Sequence, residues 1–491
     1  MGAYEPGWQS VMCPNKEIST DMKSVSSFFA FCKTNLRLLE LAYLLSIAVI
    51  GVFLVYRVTP VSGVDEEFHF YRAQQIAQGN LLAQRYSGHM FGGGLDTSML
   101  TWVRYFNANR DQHKPSDSNV AAQIAKDLEN AKRDREVVHF PSTASYSPLM
   151  YIPSAAAMMI ANAGHGDVDT RYYAGRLGNL FGYIGMLALV LAVLPVGRLA
   201  VLALMTTPTS LHLATTYSAD PVTNLGSMLF LACCLRARMA PPEDRKIWIR
   251  LIIALAAPLG LFKLTCSFLS LGCFLVPTNS FPTQRKYVQF CMTVVGLSLV
   301  SAVVWNGIYP FTPAHYWNTG GDPKVQILTM LEHPWSFVRE IAETYRVGSH
   351  WWWEDAWGRF GGGPVPLFFK IGEGTGYIAI ALIVLLALAD KRPIASPRSG
   401  AILIALGALY SLLTLLAFYV GFSHLGEDTV SGLQGRYFYI SCAAILTGVL
   451  LFLPRQNKTY QTVCAGLLGA YFVCVAHVCI EATGIYARLW N

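Results

Sequence analysis

Apolar residues run through this chain in blocks of near-membrane length, parted by short charged stretches and two long polar segments. The blocks fall at about 39–59, 147–163, 172–194, 198–217, 220–236, 249–262, 265–278, 288–308, 371–389, 400–422, 437–453 and 459–481. A bilayer core needs about 20 apolar residues in helical form, so the pattern predicts a polytopic helical membrane protein.

Charge decides which blocks cross. Short loops rich in Lys and Arg stay in the cytoplasm, which assigns Arg236 to Arg250, Arg285-Lys286, Lys391 to Arg398 and Arg455 to Lys458 to that side. Working back, the Ser218 to Pro221 turn faces outside and Gly197-Arg198 faces inside. The block at 172–194 then enters from outside, and 147–163 cannot cross as well. That segment carries Pro148 and Pro153 near its start, each removing a backbone donor, and is expected to lie as an interfacial or re-entrant helix. The expected fold is an all-α polytopic membrane protein of about eleven transmembrane helices plus this interfacial helix, N-terminus inside and C-terminus outside.

The expected organisation follows. Residues 1–38 form a cytoplasmic segment, 39–59 a first transmembrane helix that is a retained anchor without a small-residue cleavage site, and 60–171 a first large outer loop. Transmembrane helices occupy 172–308, a second large outer loop 309–370, and further transmembrane helices 371–491. Within the first loop, Asn107 to Arg135 reads as a helical or flexible polar insert.

Composition agrees with this class. Apolar residues make up 53% and charged ones 14%, against about 25% charged in soluble domains. The net charge of +7 lies mostly in short loops and is no nucleic-acid footprint. The eleven cysteines form no CxxC pair and avoid both long loops, which suits small apolar packing residues.

The polar residues near the expected outer face carry the candidate chemistry. Val64-Asp65-Glu66-Glu67-Phe68-His69-Phe70-Tyr71-Arg72 follows the first block directly. As a helix it puts Asp65, His69 and Arg72 on one face with Glu66 beside them, an arrangement suited to a general base, Asp65 or Glu66, that His69 and Arg72 tune. A solvated helix start is the plainer alternative. Asp220, in Ser218-Ala219-Asp220-Pro221, either acts in chemistry or caps the next helix.

Lys263 interrupts a long apolar stretch, where a bound phosphate or snorkelling would satisfy it. Gln434-Gly435-Arg436-Tyr437 opens another helix, with Arg436 offering a fork for phosphate and Gly435 a close backbone approach. Arg171 and Arg176 would complete a cationic ring with Lys263. Trp351 to Trp353 and Trp357 read as an interfacial belt, with sugar stacking as the alternative. No nucleotide, zinc or G-x-S-x-G motif occurs, so the energy of any reaction must arrive in the substrate, for which a lipid-linked activated donor is the economical source at an outer face. A divalent cation, if one is used, would sit between Asp65 and Asp220.

These segments, with Tyr146 to Tyr151 and Arg176 to Asn179, recur in an order that resembles a bacterial family of predicted multi-spanning membrane proteins of unknown function. More distantly the chain resembles the GT-C glycosyltransferases, such as protein mannosyltransferases and the aminoarabinose transferases of lipid A. The GT-C resemblance implies a base at Asp65 or Glu66, a second acid at Asp220 and a juxtamembrane helix at 147–163. Ser147-Pro148 departs from the usual proline pair, and Ser-Ala-Asp-Pro from the expected asparagine turn.

The resemblance implies a membrane glycosyltransferase that moves a sugar from a polyprenyl-phosphate carrier to a cell-envelope glycan or lipid. Asp65 or Glu66 would act as base, and His69, Arg72, Arg176, Asp220, Lys263, Gln434, Arg436 and Tyr437 would surround the substrates. A flippase of lipid-linked glycans, or an O-antigen polymerase or ligase taking a diphosphate-linked oligosaccharide, are the alternatives.

Overall fold

A computed structural model describes residues 36–87, 90–112, 135–308, 323–361, 369–392, 396–424, 426–456 and 458–490. Most of the insert expected at Asn107 to Arg135, and parts of the second long loop, lie outside the described residues. The chain is mostly helical. Among the described residues five helices are long and apolar enough to cross a membrane: α1 (Leu38–Arg57), α5 (Val168–Val193), α10 (Gln284–Ile308), α14 (Pro397–Gly421) and Gln461–Ala487 within α16 (Gln461–Trp490). At 1.5 Å per residue the 20 residues of α1 extend about 30 Å.

Between them stand α2 (Glu66–Ala77), α3 (Thr97–Gln112), α4 (Ile152–Ala163), α6 (Arg198–Met205), α7 (Pro208–Thr215), α8 (Asp220–Met239) and α9 (Arg245–Phe262). The second long loop carries α11 (Pro323–Glu332) and α12 (Pro334–Gly358), followed by α13 (Glu373–Ala389) and α15 (Tyr439–Leu450).

Several expected spans take another form, each for a local reason. The block 198–217 is two short helices, because Pro208 starts α7 while Thr207 caps it by accepting from the Ser210 amide at 3.2 Å. The block 265–278 is a 3-10 helix over Leu264–Leu275, begun after Lys263 turns to an extended conformation at the end of α9. At about 2.0 Å per residue its 12 residues still reach about 24 Å. Over 147–163, a 3-10 turn at Pro148–Tyr151 leads into α4. That helix buries Ser154, Ala155 and Met158 and exposes Met159 and Ile160.

The fold is not all-α. Strands β1 (Gln84–Ser87), β2 (Met90–Asp96) and β3 (Arg135–His139) form an antiparallel sheet in the order β1-β2-β3. A second pair joins β4 (Arg359–Phe360) to β5 (Phe369–Lys370). The glycine run is what hides and permits the first sheet: a Cβ on Gly92 would lie 1.9 Å from the Val138 carbonyl oxygen.

The four tryptophans do not form a belt. Trp352 packs on Phe438 with ring centroids 4.8 Å apart, Trp353 donates to the Gly376 carbonyl at 3.0 Å, and Trp357 donates to Thr375 Oγ1 at 3.1 Å. Only Trp351 keeps over a third of its surface exposed.

One end of the helical body is tied by buried charges. Glu40 at the start of α1 accepts from Arg198 Nε at 2.8 Å, and Arg37 pairs with Asp390 after α13. The candidate site lies where α1 ends and α8 begins.

Candidate functional site

Past α1 the chain makes a tight turn in which two non-glycine residues are left-handed, Val61 at φ 59° and Asp65 at φ 52°. That conformation is unusual, most of all for a β-branched residue. It persists because the turn is bonded on both sides. The Val61 amide donates to Tyr172 Oη at 2.9 Å, and the Gly63 amide donates to Glu66 Oε2 at 2.8 Å. Helix α2 therefore starts at Glu66, with Asp65 just outside it.

This break separates neighbouring acids. Glu66 is fully buried and accepts from Arg176 Nε and Nη2, both at 2.8 Å, from Tyr172 Oη at 3.0 Å and from the Tyr217 amide at 3.1 Å. Arg176 uses its remaining donors on the carbonyls of Val55 at 3.0 Å, Val58 at 2.7 Å and Thr59 at 3.0 Å. The pair is bidentate, sealed, and joins the end of α1 to α5. Asn179 extends the joint by donating to the carbonyls of Leu213 and Thr216 at 3.1 and 2.7 Å. Glu67 accepts from Tyr71 Oη at 2.7 Å.

Asp65 is the acid left open, with 47% of its side-chain surface exposed against 0% for Glu66. Its Oδ2 lies 3.8 Å from Arg436 Nη2. The nearby walls strip enough water that desolvation raises its pKa above the ordinary carboxylate value, with Arg436 opposing the rise and Asp220 adding to it.

Four charges alternate from here. Arg436 Nη1 lies 3.4 Å from Asp220 Oδ2, and Lys263 Nζ donates to Asp220 Oδ1 at 2.8 Å. Tyr437 lies beneath both cations, its ring 5.1 Å from the Arg436 guanidinium and 5.3 Å from Lys263 Nζ, with its hydroxyl accepting from Arg436 Nη2 at 3.2 Å. Arg436 is only 6% exposed, yet among the described residues its Nε and Nη1 make no hydrogen bond, Nη1 having only the ion pair with Asp220, and the buried Gln434 Oε1 makes none either. Buried guanidinium donors without hydrogen bonds are costly, and an anion is the group that satisfies them.

His69 and Arg72 support this cluster from behind. His69 Nδ1 meets Tyr151 Oη at 2.7 Å, and burial lowers its pKa to about 3, so the ring is neutral. Arg72, fully buried, donates to the Tyr146 carbonyl at 3.2 and 3.1 Å, to the Leu81 carbonyl at 2.9 Å and to Gln75. It holds Tyr146, whose ring centre is 6.0 Å from Lys263 Nζ.

Of the residues singled out in the sequence, Asp65, Asp220, Lys263, Arg436 and Tyr437 thus form one cluster, with Gln434 just before it in the chain. Arg176 and Glu66 face each other instead, and Arg171 pairs with Asp96 at 3.0 Å, so no cationic ring forms. The residues do not fit a metal bridged by Asp65 and Asp220, because Arg436 stands between them and Lys263 holds the second Asp220 oxygen. No cluster of three or more His, Cys, Asp or Glu suited to a metal occurs among the described residues.

One residue of the site's surroundings carried no signal of its own. Asp355 in α12, fully buried, accepts the Gly435 amide at 2.6 Å and pairs with Arg359. Its acid letter sits among tryptophans in a distant loop, and only the three-dimensional contact distinguishes it.

Residues 48–446 match a family model described as "Predicted membrane protein (DUF2142)". No curated protein and no solved structure matches the chain.

Proposed function

Because the chain belongs to that family of predicted membrane proteins, whose description specifies no reaction, we propose a function from the site itself: an outward-acting glycosyltransferase using a polyprenyl-phosphate-linked sugar. The observation that carries the reading is the pairing of a half-open Asp65 with a buried Arg436 whose Nε and Nη1 lack hydrogen bonds among the described residues. A base open to an acceptor stands beside a cation ready for an anion.

In this reading an acceptor hydroxyl of a cell-envelope glycan or lipid attacks the anomeric carbon, and Asp65 takes its proton. The bond from that carbon to the phosphate oxygen breaks, and the lipid leaves as a monophosphate carrying one more negative charge. Arg436 and Lys263 stabilise that growing charge, Asp220 holds the two cations apart, and Tyr437 supports them. Configuration inverts, since one displacement suffices. Glu66 and Arg176 take no part in the chemistry and brace the turn that presents Asp65.

The finer architecture belongs to the same proposal: about eleven crossings, a GT-C-like arrangement, N-terminus inside, in a bacterial inner membrane. The shorter apolar helices at Leu264–Leu275, Glu373–Ala389 and Gly435–Leu450 would supply crossings besides the five long helices.

The test is the envelope glycan composition of cells with the protein, without it, and with Asp65→Asn in its place. The reading expects one sugar to vanish on deletion and to stay absent with Asp65→Asn at normal protein level. An unchanged glycan profile on deletion, or full recovery with Asp65→Asn, would overturn it.

A further inference from the structure

Arg436 lies in a single 3-10 turn, Gly435–Phe438, that has no side-chain cap of its own; Gln434 precedes it without bonding to it through its side chain. The first amides of such a turn are unsatisfied unless something outside supplies an acceptor. Here the acceptor comes from 80 residues earlier in the sequence: Asp355 Oδ2, 2.6 Å from the Gly435 nitrogen.

The contact fixes direction as well as position. Gly435 is pressed so closely on α12 that a Cβ would lie 1.9 Å from the Trp352 carbonyl oxygen and 2.6 Å from the Ala356 nitrogen. Phe438, one turn on, stacks on Trp352, and Tyr439 donates to the Ala356 carbonyl. Asp355 is itself held, with Arg359 on its other oxygen and Thr209 Oγ1 donating to its carbonyl at 3.2 Å. Because Arg359 balances its charge locally, Asp355 caps the turn without adding an unpaired acid to the cluster.

We propose that Asp355 is a positioning residue: by capping the Gly435 amide from α12 it aims the Arg436 guanidinium at the substrate's phosphate. The inference rests on the reading of Arg436 as the phosphate site. It makes the second long loop part of the site's machinery, since α12 sets the angle at which Arg436 meets an anion.

A double-mutant cycle on the full-length protein in detergent tests it, with farnesyl phosphate as probe and farnesol as the uncharged control. Asp355→Ala should weaken farnesyl phosphate binding about tenfold, the scale of one lost charge-assisted hydrogen bond, leave farnesol binding unchanged, and add nothing in an Arg436→Ala background. Asp355→Asn keeps an acceptor for the Gly435 amide, should lose less, and is the variant to read if alanine does not fold. Wild-type affinity in both Asp355 variants, or an equal loss with and without Arg436, would overturn the inference. Failure of the wild type to prefer farnesyl phosphate over farnesol, or indifference to Arg436→Ala, would instead overturn the underlying phosphate reading.

Discussion

Replacing Glu66 by Gln separates a brace from a catalyst, because the two acids of the Asp65-Glu66 pair differ so much in surroundings. The Glu66 carboxylate accepts two bonds from Arg176, one from Tyr172 Oη and two from the amides of Gly63 and Tyr217. Gln removes the charge and turns one acceptor oxygen into an NH2 group, which faces donors whichever way the amide is set. Arg176 is left buried at 0% exposure without its counter-charge.

Breaking such a pair on one side costs about 3–5 kcal/mol, a large share of the roughly 5–15 kcal/mol that holds a typical domain folded. With a shift of about 2 °C per kcal/mol for a large domain, thermal unfolding in detergent should move down by about 6–10 °C. Arg176→Gln should do the same, and the two together should cost less than their sum, since each already breaks the same pair. A Glu66→Gln protein with wild-type thermal stability and no transfer activity would refute the brace and make Glu66 a chemical group.

Other expectations follow from the same geometry. Asp65→Asn should leave the unfolding temperature within about 1 °C of wild type, as surface-type changes do, and a large drop would mean that Asp65 is structural. Gly435→Ala should abolish the close seat on α12 and with it anion binding, read by loss of farnesyl phosphate affinity; retained affinity would show that the turn tolerates displacement.

The pH dependence has a definite sign. A base works only when ionised, so the rate should fall with acid through a pKa above the ordinary 3.8 of Asp65. His69 stays neutral down to about 3 and should add no limb near its ordinary 6.5. Its lowered pKa means the unfolded chain binds more protons between those values, so the stability it contributes is full above about 6.5 and is lost as pH falls toward about 3. An activity limb near 6.5 that disappears in His69→Gln would contradict this.

The sequence makes the membrane class legible, because blocks of apolar residues need no tertiary information to be read. It also yields the charged members of the cluster, each conspicuous beside apolar helices. What it could not apportion was role. Asp65 and Glu66 are adjacent letters, and what divides them is a left-handed turn together with an arginine 110 residues away.

The helical register assumed from Asp65 through Arg72 fails at that turn, so Asp65 does not share a helix face with His69 and Arg72. The sheet was hidden because Gly92 to Gly94 reads as a flexible run until a second backbone is seen against it. The tryptophans read as a belt by composition, while their partners on α13 and the Gly435 turn draw three of them inward. Asp355 is legible only through the Gly435 amide it caps.

The central claim is that Asp65 and Arg436 form one reacting site. Its most direct test is sugar transfer by the purified protein reconstituted in liposomes, given labelled polyprenyl-monophosphate and polyprenyl-diphosphate sugars in parallel with envelope glycan acceptors. The account predicts transfer from the monophosphate donor, release of lipid monophosphate in equal amount, and loss of both in Asp65→Asn and Arg436→Ala proteins of normal stability. Transfer that survives either substitution, or lipid crossing the bilayer with the sugar still attached and no bond broken, would contradict it.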